Sequence, residues 1–367
     1  MARRPLLISI FLRGGADGLS LAQPLGSGLL KEARPTLATP DSELVDVGGG
    51  VGLHPELHDL GELMSRGEAA VCLGVGSGDS TRSHFEAQDR LERASEEEVL
   101  SSGWIARHLM TRAGPRPGPL SAIAFGAGPP EALRGASATS VHDTRELVPE
   151  RPTEVELDAL DALYGASEGA SLPLARELGE AGRATVEVTR ALRALGTTEP
   201  PALARYPEGA FGEHLAQAAW LARHREALGI EVISLDQQGW DTHFVQADLV
   251  ASNAKALGAG LATLRRDLDD DWHETTVVVF TEFGRRVGEN VSRGTDHGRA
   301  SLALLLGGGL RRPGVRGAWP SLAEADLDGP GDVPVTTDYR SILWEVLDER
   351  LGNRRLREVL PGFAPKA

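Results

Sequence analysis

Leu6-Leu-Ile-Ser-Ile-Phe-Leu12 runs without a break into Arg13-Gly-Gly-Ala-Asp17-Gly18. A strand with one wet face alternates apolar and polar residues. This run does not alternate, which predicts a central strand covered on both faces, as in a parallel sheet flanked by helices. The glycine turn that follows carries Arg13 and Asp17. In open parallel sheets ligands gather outside the carboxyl ends of the strands, so this turn is the first place to look for chemistry.

Working outward, residues 69–75 read as a second buried strand leading into Ser77-Gly-Asp-Ser-Thr-Arg-Ser-His84. Further strands are expected at 43–47, 120–125, 230–235, 275–281 and 302–306. Helical spacing of apolar residues is expected after His54-Pro55 up to residue 66, then at 83–93, 245–268 and 339–351. Residues 151–229 are rich in Ala, Leu, Glu and Arg and poor in strand formers. They are expected to form a mainly helical insertion between two halves of one sheet. Strands alternating with helices imply an α/β fold, with a mostly parallel central sheet and helices on both faces. The whole chain, 1–367, reads as one such domain.

Composition narrows the function. The net charge is −15, and only Lys31, Lys255 and Lys366 accompany the arginines. That balance argues against nucleic acid as a partner, because such binding leans on phosphate neutralisation. A small anionic substrate is still allowed, since a site can be locally positive in an acidic protein. No apolar stretch reaches the length of a membrane span. Arg3 and Arg4 precede an apolar run, but that run ends in the Arg13–Asp17 turn and not in a small-residue cleavage site, so a cytoplasmic protein is expected. The single cysteine, Cys72, lies inside a strand pattern. It excludes a disulfide framework and cysteine-rich metal sites, leaving carboxylates, imidazoles and a hydroxyl as the ligands open to any metal.

The remaining strand ends carry the same kinds of residue: Gly239-Trp-Asp241-Thr-His243, Thr281-Glu282-Phe-Gly-Arg285-Arg286, and the following Gly294-Thr-Asp296-His297-Gly298. Taken singly each has a plain alternative. Asp17 reads as a turn former, Glu282 as a solvated strand end, His297 as a satisfied loop histidine, and the arginines as solvated surface. Placed together on one rim of one sheet, they predict a shared site.

These motifs, with Gly52-Leu-His54-Pro and Ser80-Thr-Arg-Ser-His84-Phe-Glu-Ala-Gln88, run in order along nearly the whole chain. They resemble the bacterial domain-of-unknown-function family 1501, which is similar in fold to alkaline phosphatases, sulfatases and phosphomutases. The resemblance implies an alkaline phosphatase-like fold and a divalent metal site of one or two ions (zinc, manganese or another). It implies Asp17, Asp241, His243, Glu282 and His297 as ligands. It also implies a hydroxyl nucleophile at the start of a helix, where Ser83 fits and Ser80 and Thr81 are neighbours. The superfamily has Asp-His where this chain has Glu282-Phe283, so one histidine is missing, with His84 or His54 as replacements from other loops. Arg82, Arg285 and Arg13 are candidates to clamp an anion through forked hydrogen bonds. The implied activity is metal-dependent hydrolysis of a small phosphate or sulfate ester. The alternatives are a binding protein that keeps the fold, with or without a single ion, and a phosphoryl or sulfuryl transferase.

Overall fold

The computed structural model describes residues 4–95, 100–147, 153–166, 171–195 and 205–365. Its strands are β1 (Leu6–Leu12), β2 (Ala22–Pro24), β3 (Val45–Asp46), β4 (Val51–Leu53), β5 (Ala69–Gly76), β6 (Ala122–Phe125), β7 (Thr139–Val141), β8 (Val232–Gln237), β9 (Thr275–Phe280), β10 (Ser301–Leu306), β11 (Gly314–Arg316) and β12 (Thr337–Asp338). Nine of them form one sheet in the order β11-β5-β10-β9-β1-β8-β6-β7, with β12 also paired to β5. β1 sits between β9 and β8, parallel to both.

The unbroken apolar run of β1 works as its composition dictates. Leu6, Ile8, Ile10 and Leu12 point into one core. Leu7 and Phe11 point into the other. Side chains alternate across a strand, so a strand apolar at both parities must be covered on both faces.

The first of those faces is covered by α3 (His58–Ser65), α8 (Ala210–Arg223) and α10 (Gln246–Leu268), which follow the short helices α1 (Gly18–Leu21) and α2 (Gly28–Ala33). The second is covered by α4 (His84–Arg93), α5 (Trp104–Thr111), α11 (Tyr339–Glu345) and α12 (Leu356–Val359). Between β7 and β8 the chain also forms α6 (Glu154–Gly165), α7 (Pro173–Leu195) and α9 (Arg225–Leu228). Positions 151–152, 167–170 and 196–204 of the expected insertion lie outside the described residues.

Three local expectations need correction. The strand expected at 43–47 shrinks to the two-residue β3 in a separate small sheet, β2-β4-β3. It turns back through Gly48, Gly49 and Gly50, all at positive φ, which permits a tight reversal and ends the pairing. The helix expected from 245 starts one residue later, because Val245 sits in the left-handed region (φ 46°). The last helix gives way after Glu345 to a wider turn over Val346–Arg350.

The direction of β10 matters most for the site. It runs antiparallel to both β5 and β9, while the other strands of the large sheet share one direction. Its amino end therefore lies at the rim where β1, β5, β8 and β9 have their carboxyl ends, and residue 297, just before it, is delivered there. No helix among the described residues is long and apolar enough to cross a membrane.

Candidate metal centre

Four loops meet on this rim. The β5 loop leads to Ser83, which takes the N-cap position of α4 and makes His84 its first residue. The β8 loop brings Asp241 and His243, the β9 loop brings Glu282 and Arg285, and the segment before β10 brings His297. His84, Asp241 and His297 each offer a ligand atom, and the three atoms lie within 4.8 Å of one another. His243 joins them: its Nε2 is 3.1 Å from Asp241 Oδ1 and 2.9 Å from His297 Nε2. His297 Nε2 is in turn 3.2 Å from the same Asp241 oxygen.

The other ring nitrogens fix this arrangement. His84 Nδ1 donates to Glu282 Oε1 at 2.8 Å. His297 Nδ1 donates to the Arg82 carbonyl at 2.9 Å. With Nδ1 carrying the proton, the neutral ring presents a bare Nε2, which is how a ligating histidine is normally oriented by its outer partner. His84 Nε2 is buried and finds no hydrogen-bond partner, since Asp241 Oδ2 at 3.5 Å is beyond bonding geometry. Bare imidazole nitrogens and a carboxylate oxygen facing one another suit a cation of the zinc or manganese kind. Below them Phe283 forms a buried floor, its ring 4.9 Å from that of His84 and 4.8 Å from that of His297.

Burial pushes the Asp241 carboxyl up, but the hydrogen bond and charge of Arg285, together with the imidazoles beside it, outweigh that and hold the group at about 2. Its side chain is 49 % exposed, so it can be reached from solvent. The hydrogen bond to Glu282 raises His84 against the opposing effect of burial. Burial lowers His297 in spite of the Arg82 carbonyl and Asp241.

The pattern of a protein family of unknown function, DUF1501, matches residues 4–359. The chain belongs to the DUF1501 family. No protein of curated function matches it. Among solved structures, it is similar to the lipoteichoic acid synthase LtaP from Listeria monocytogenes (10 % identity, 85 % of this chain and 67 % of that one, TM-score 0.36). It is also similar to the C-terminal periplasmic domain of EcEptC from Escherichia coli, solved in complex with Zn (9 %, 100 % and 89 %, TM-score 0.42). A third is the phosphonate monoester hydrolase of Agrobacterium radiobacter (13 %, 98 % and 78 %, TM-score 0.34). At such distances these likenesses say nothing about the chemistry of the DUF1501 rim, which stands on its own geometry.

That geometry redistributes several expected roles. Asp17 is not among the converging groups. It is 1 % exposed, and its carboxylate accepts from Arg34 Nη1 (2.6 Å) and Nη2 (3.1 Å), from Ser20 Oγ (2.6 Å) and from Gln246 Nε2 (2.5 Å). Burial raises its pKa, and the Arg34 guanidinium more than reverses that. So saturated a carboxylate braces the turn after β1 against α2 and α10 and is not placed as a ligand. Glu282 is likewise buried. It accepts from Gly14 N (2.9 Å), Gln88 Nε2 (2.8 Å) and Thr281 Oγ1 (3.0 Å) as well as from His84 (2.8 Å), so both of its oxygens have protein partners.

The arginines also change role. Arg285 is buried and donates to the carbonyls of Gly14, Gly15 (2.7 Å), Trp240 (3.1 Å) and Thr295 (2.9 Å), and to Asp241 Oδ1 (2.7 Å). Each of its three nitrogens has a partner, and the buried side chain ties three loops together. Arg82 pairs with the buried Asp332, and Arg13 with Glu92, Asp236 and Gln88. Thr81 Oγ1 donates to Glu86. Ser80 is exposed, and Ser83 makes no capping bond with its side chain. His54 caps the turn at Pro55–Leu57, its Nδ1 accepting from Glu56 N, and is not in the cluster.

Of the two histidines considered as replacements, His84 lies in the cluster and His54 does not. The spacing that identifies it is His84 and Gln88 one helical turn apart, both directed at Glu282 Oε1. Two glycines let the loops close. A Cβ on Gly14 (φ 120°) would lie 2.4 Å from Asp241 N, and one on Gly15 (φ 68°) would lie 2.6 Å from the Phe283 ring.

Proposed function

We propose that the chain is a metal-dependent hydrolase of phosphate or sulfate esters, with one divalent ion held by His84, Asp241, His243 and His297. The observation that carries this reading is the convergence of three imidazole Nε2 atoms on one carboxylate, with Nδ1 of two of the rings committed to Glu282 and to the Arg82 carbonyl. A divalent ion held there would polarise the ester oxygens and stabilise the departing oxyanion. The protein supplies the rest. Glu282 and the Arg82 carbonyl hold the tautomers, and Arg285 keeps Asp241 ionised and in place. The amino end of α4, where backbone N–H groups lack intrahelical partners, favours an anionic group. Ser83, at that end with its hydroxyl uncommitted to capping, is the candidate nucleophile.

Elemental analysis by plasma mass spectrometry after metal repletion tests the ligand set. The expected result is about one transition ion per chain in the parent and none in Asp241→Ala or His297→Ala. The loaded protein should turn over p-nitrophenyl phosphate, p-nitrophenyl sulfate or a phosphonate monoester, and Ser83→Ala should remove that turnover. A stoichiometric ion without turnover of any ester would leave a single-metal binding protein. Phosphoryl or sulfuryl transfer to added alcohols in preference to water would make it a transferase.

A further inference from the structure

One ring of the cluster is oriented by a stretch of chain that has little to hold it. β5 ends at Gly76 and α4 begins at His84. Among the described residues, no backbone–backbone hydrogen bond involves residues 77–82. The backbone N–H groups here turn to local side chains, Asp79 N to Ser77 Oγ (3.3 Å) and Thr81 N to Asp79 Oδ1 (3.1 Å). Yet the carbonyl of Arg82 accepts from His297 Nδ1 and so decides which nitrogen of that ring carries the proton. A carbonyl with this task must stay in one place, and no strand or helix ladder fixes it.

The Arg82 side chain does. Its Nη2 donates to Asp332 Oδ2, and the Asp332 side chain is fully buried. A buried carboxylate is costly unless a cation answers it. The second guanidinium nearby, Arg286, is directed elsewhere. Its Nη1 donates to Asp296 Oδ2 at 3.2 Å, while its Nε stays 3.8 Å from Asp332 Oδ1, beyond bonding geometry. Arg82 is therefore the cation that Asp332 holds.

Asp332 itself stands on firm ground. Its backbone N–H and carbonyl both bond to Asp328, each at 2.9 Å. On either side of it, the Gly331 carbonyl accepts from Val287 N (2.9 Å) and the Val333 carbonyl from Ala300 N (3.1 Å). Val287, Ala300 and Val333 belong to one buried apolar cluster. Residues 287 and 300 flank His297 in the chain, so the frame that fixes Asp332 is the one that carries His297. Arg82 is clipped to that frame from a different loop.

We propose that Asp332 is a positioning residue of the histidine cluster: by anchoring the Arg82 guanidinium it places the Arg82 carbonyl against His297 Nδ1, which leaves Nε2 bare beside Asp241. The consequence for a bound ion rests on the metal-dependent reading above, whereas the orientation of the ring does not. His84 takes its orientation from Glu282 on another loop and serves as the internal control.

Proton–nitrogen NMR of the imidazoles, on the whole chain labelled at histidine and stripped with EDTA, reads the tautomer of each ring. In the parent, His297 should carry its proton on Nδ1 alone. Asp332→Ala should turn His297 into a mixture of tautomers and leave His84 as it was. Zinc affinity, measured against a chromophoric chelator, should fall about tenfold in the same variant. Asp332→Asn keeps an acceptor for Arg82 and should recover most of both signals. If Asp332→Ala fails to fold, Arg82→Met combined with Asp332→Asn leaves no buried charge unpaired and decides by the same readouts. An unchanged His297 ring, equal disturbance of His84 and His297, or undiminished zinc affinity beside an altered ring overturns the proposal. A parent that binds no zinc discards the metal reading, and the ring signals alone then decide the role of Asp332.

Discussion

The rim histidines and His108 on α5 are the same residue type with opposite fates. His108 is 4 % exposed, its Nδ1 accepts from Asn353 Nδ2 at 3.1 Å, and burial together with nearby Arg112 pushes its pKa down to about 4. It is a neutral core residue whose polar atom is answered by a neighbour. His84 and His297 are less buried, yet each has Nδ1 committed to an acceptor and Nε2 turned toward the other's. Burial alone does not separate the core histidine from those on the rim. What separates them is which nitrogen holds the proton and whether the other is met by a donor.

The largest expected effect comes from removing what holds the rim together. Arg285→Leu deletes a buried cation that bonds four carbonyls and Asp241, and should cost about 3–5 kcal/mol in urea unfolding as well as metal binding. A variant with normal stability and a full metal complement would show that the rim does not need this tie. Next is the contrast in pH response. The folded pKa of His108 lies below its ordinary 6.5, so the unfolded chain takes up the proton first as the solution is acidified. The stabilisation is fully present above pH 6.5 and is lost as pH falls through about 4, a swing of up to about 3 kcal/mol. His108→Gln should flatten the difference between urea midpoints at pH 7 and near pH 4 while leaving metal content unchanged. An unaltered slope would remove His108 from the comparison. The smallest effect sharpens it. Glu282→Gln keeps an oxygen facing His84 but loses its charge, and should weaken metal affinity about tenfold with little change in stability. Equal affinities would mean that His84 is not aimed through Glu282.

Much of this was legible in the sequence, for local reasons. The apolar parity of residues 6–12 demanded a strand covered on both faces, and the polar residues at strand ends had to share one rim once the strands ran together. The roles on that rim were less legible, because each depends on partners far along the chain. Asp17 is engaged by Arg34, just past α2, and by Gln246, which is 229 positions away. Glu282 is engaged by His84, 198 positions away. The antiparallel course of β10 was equally hidden, since periodicity reports burial and not direction. His84 was readable only as one of two substitutes for an absent neighbour of Glu282, and its spacing to Gln88 gains meaning once Glu282 is known to face both.

Arg285 also bears on how the rim comes apart. Its bonds join residues 14–15, 240–241 and 295, three loop stretches that adjoin different strands. Loops without such a tie open independently, each with its own small free energy. Loops that share one buried cation open together or not at all, so amide hydrogens across all three should exchange with solvent as a single cooperative unit.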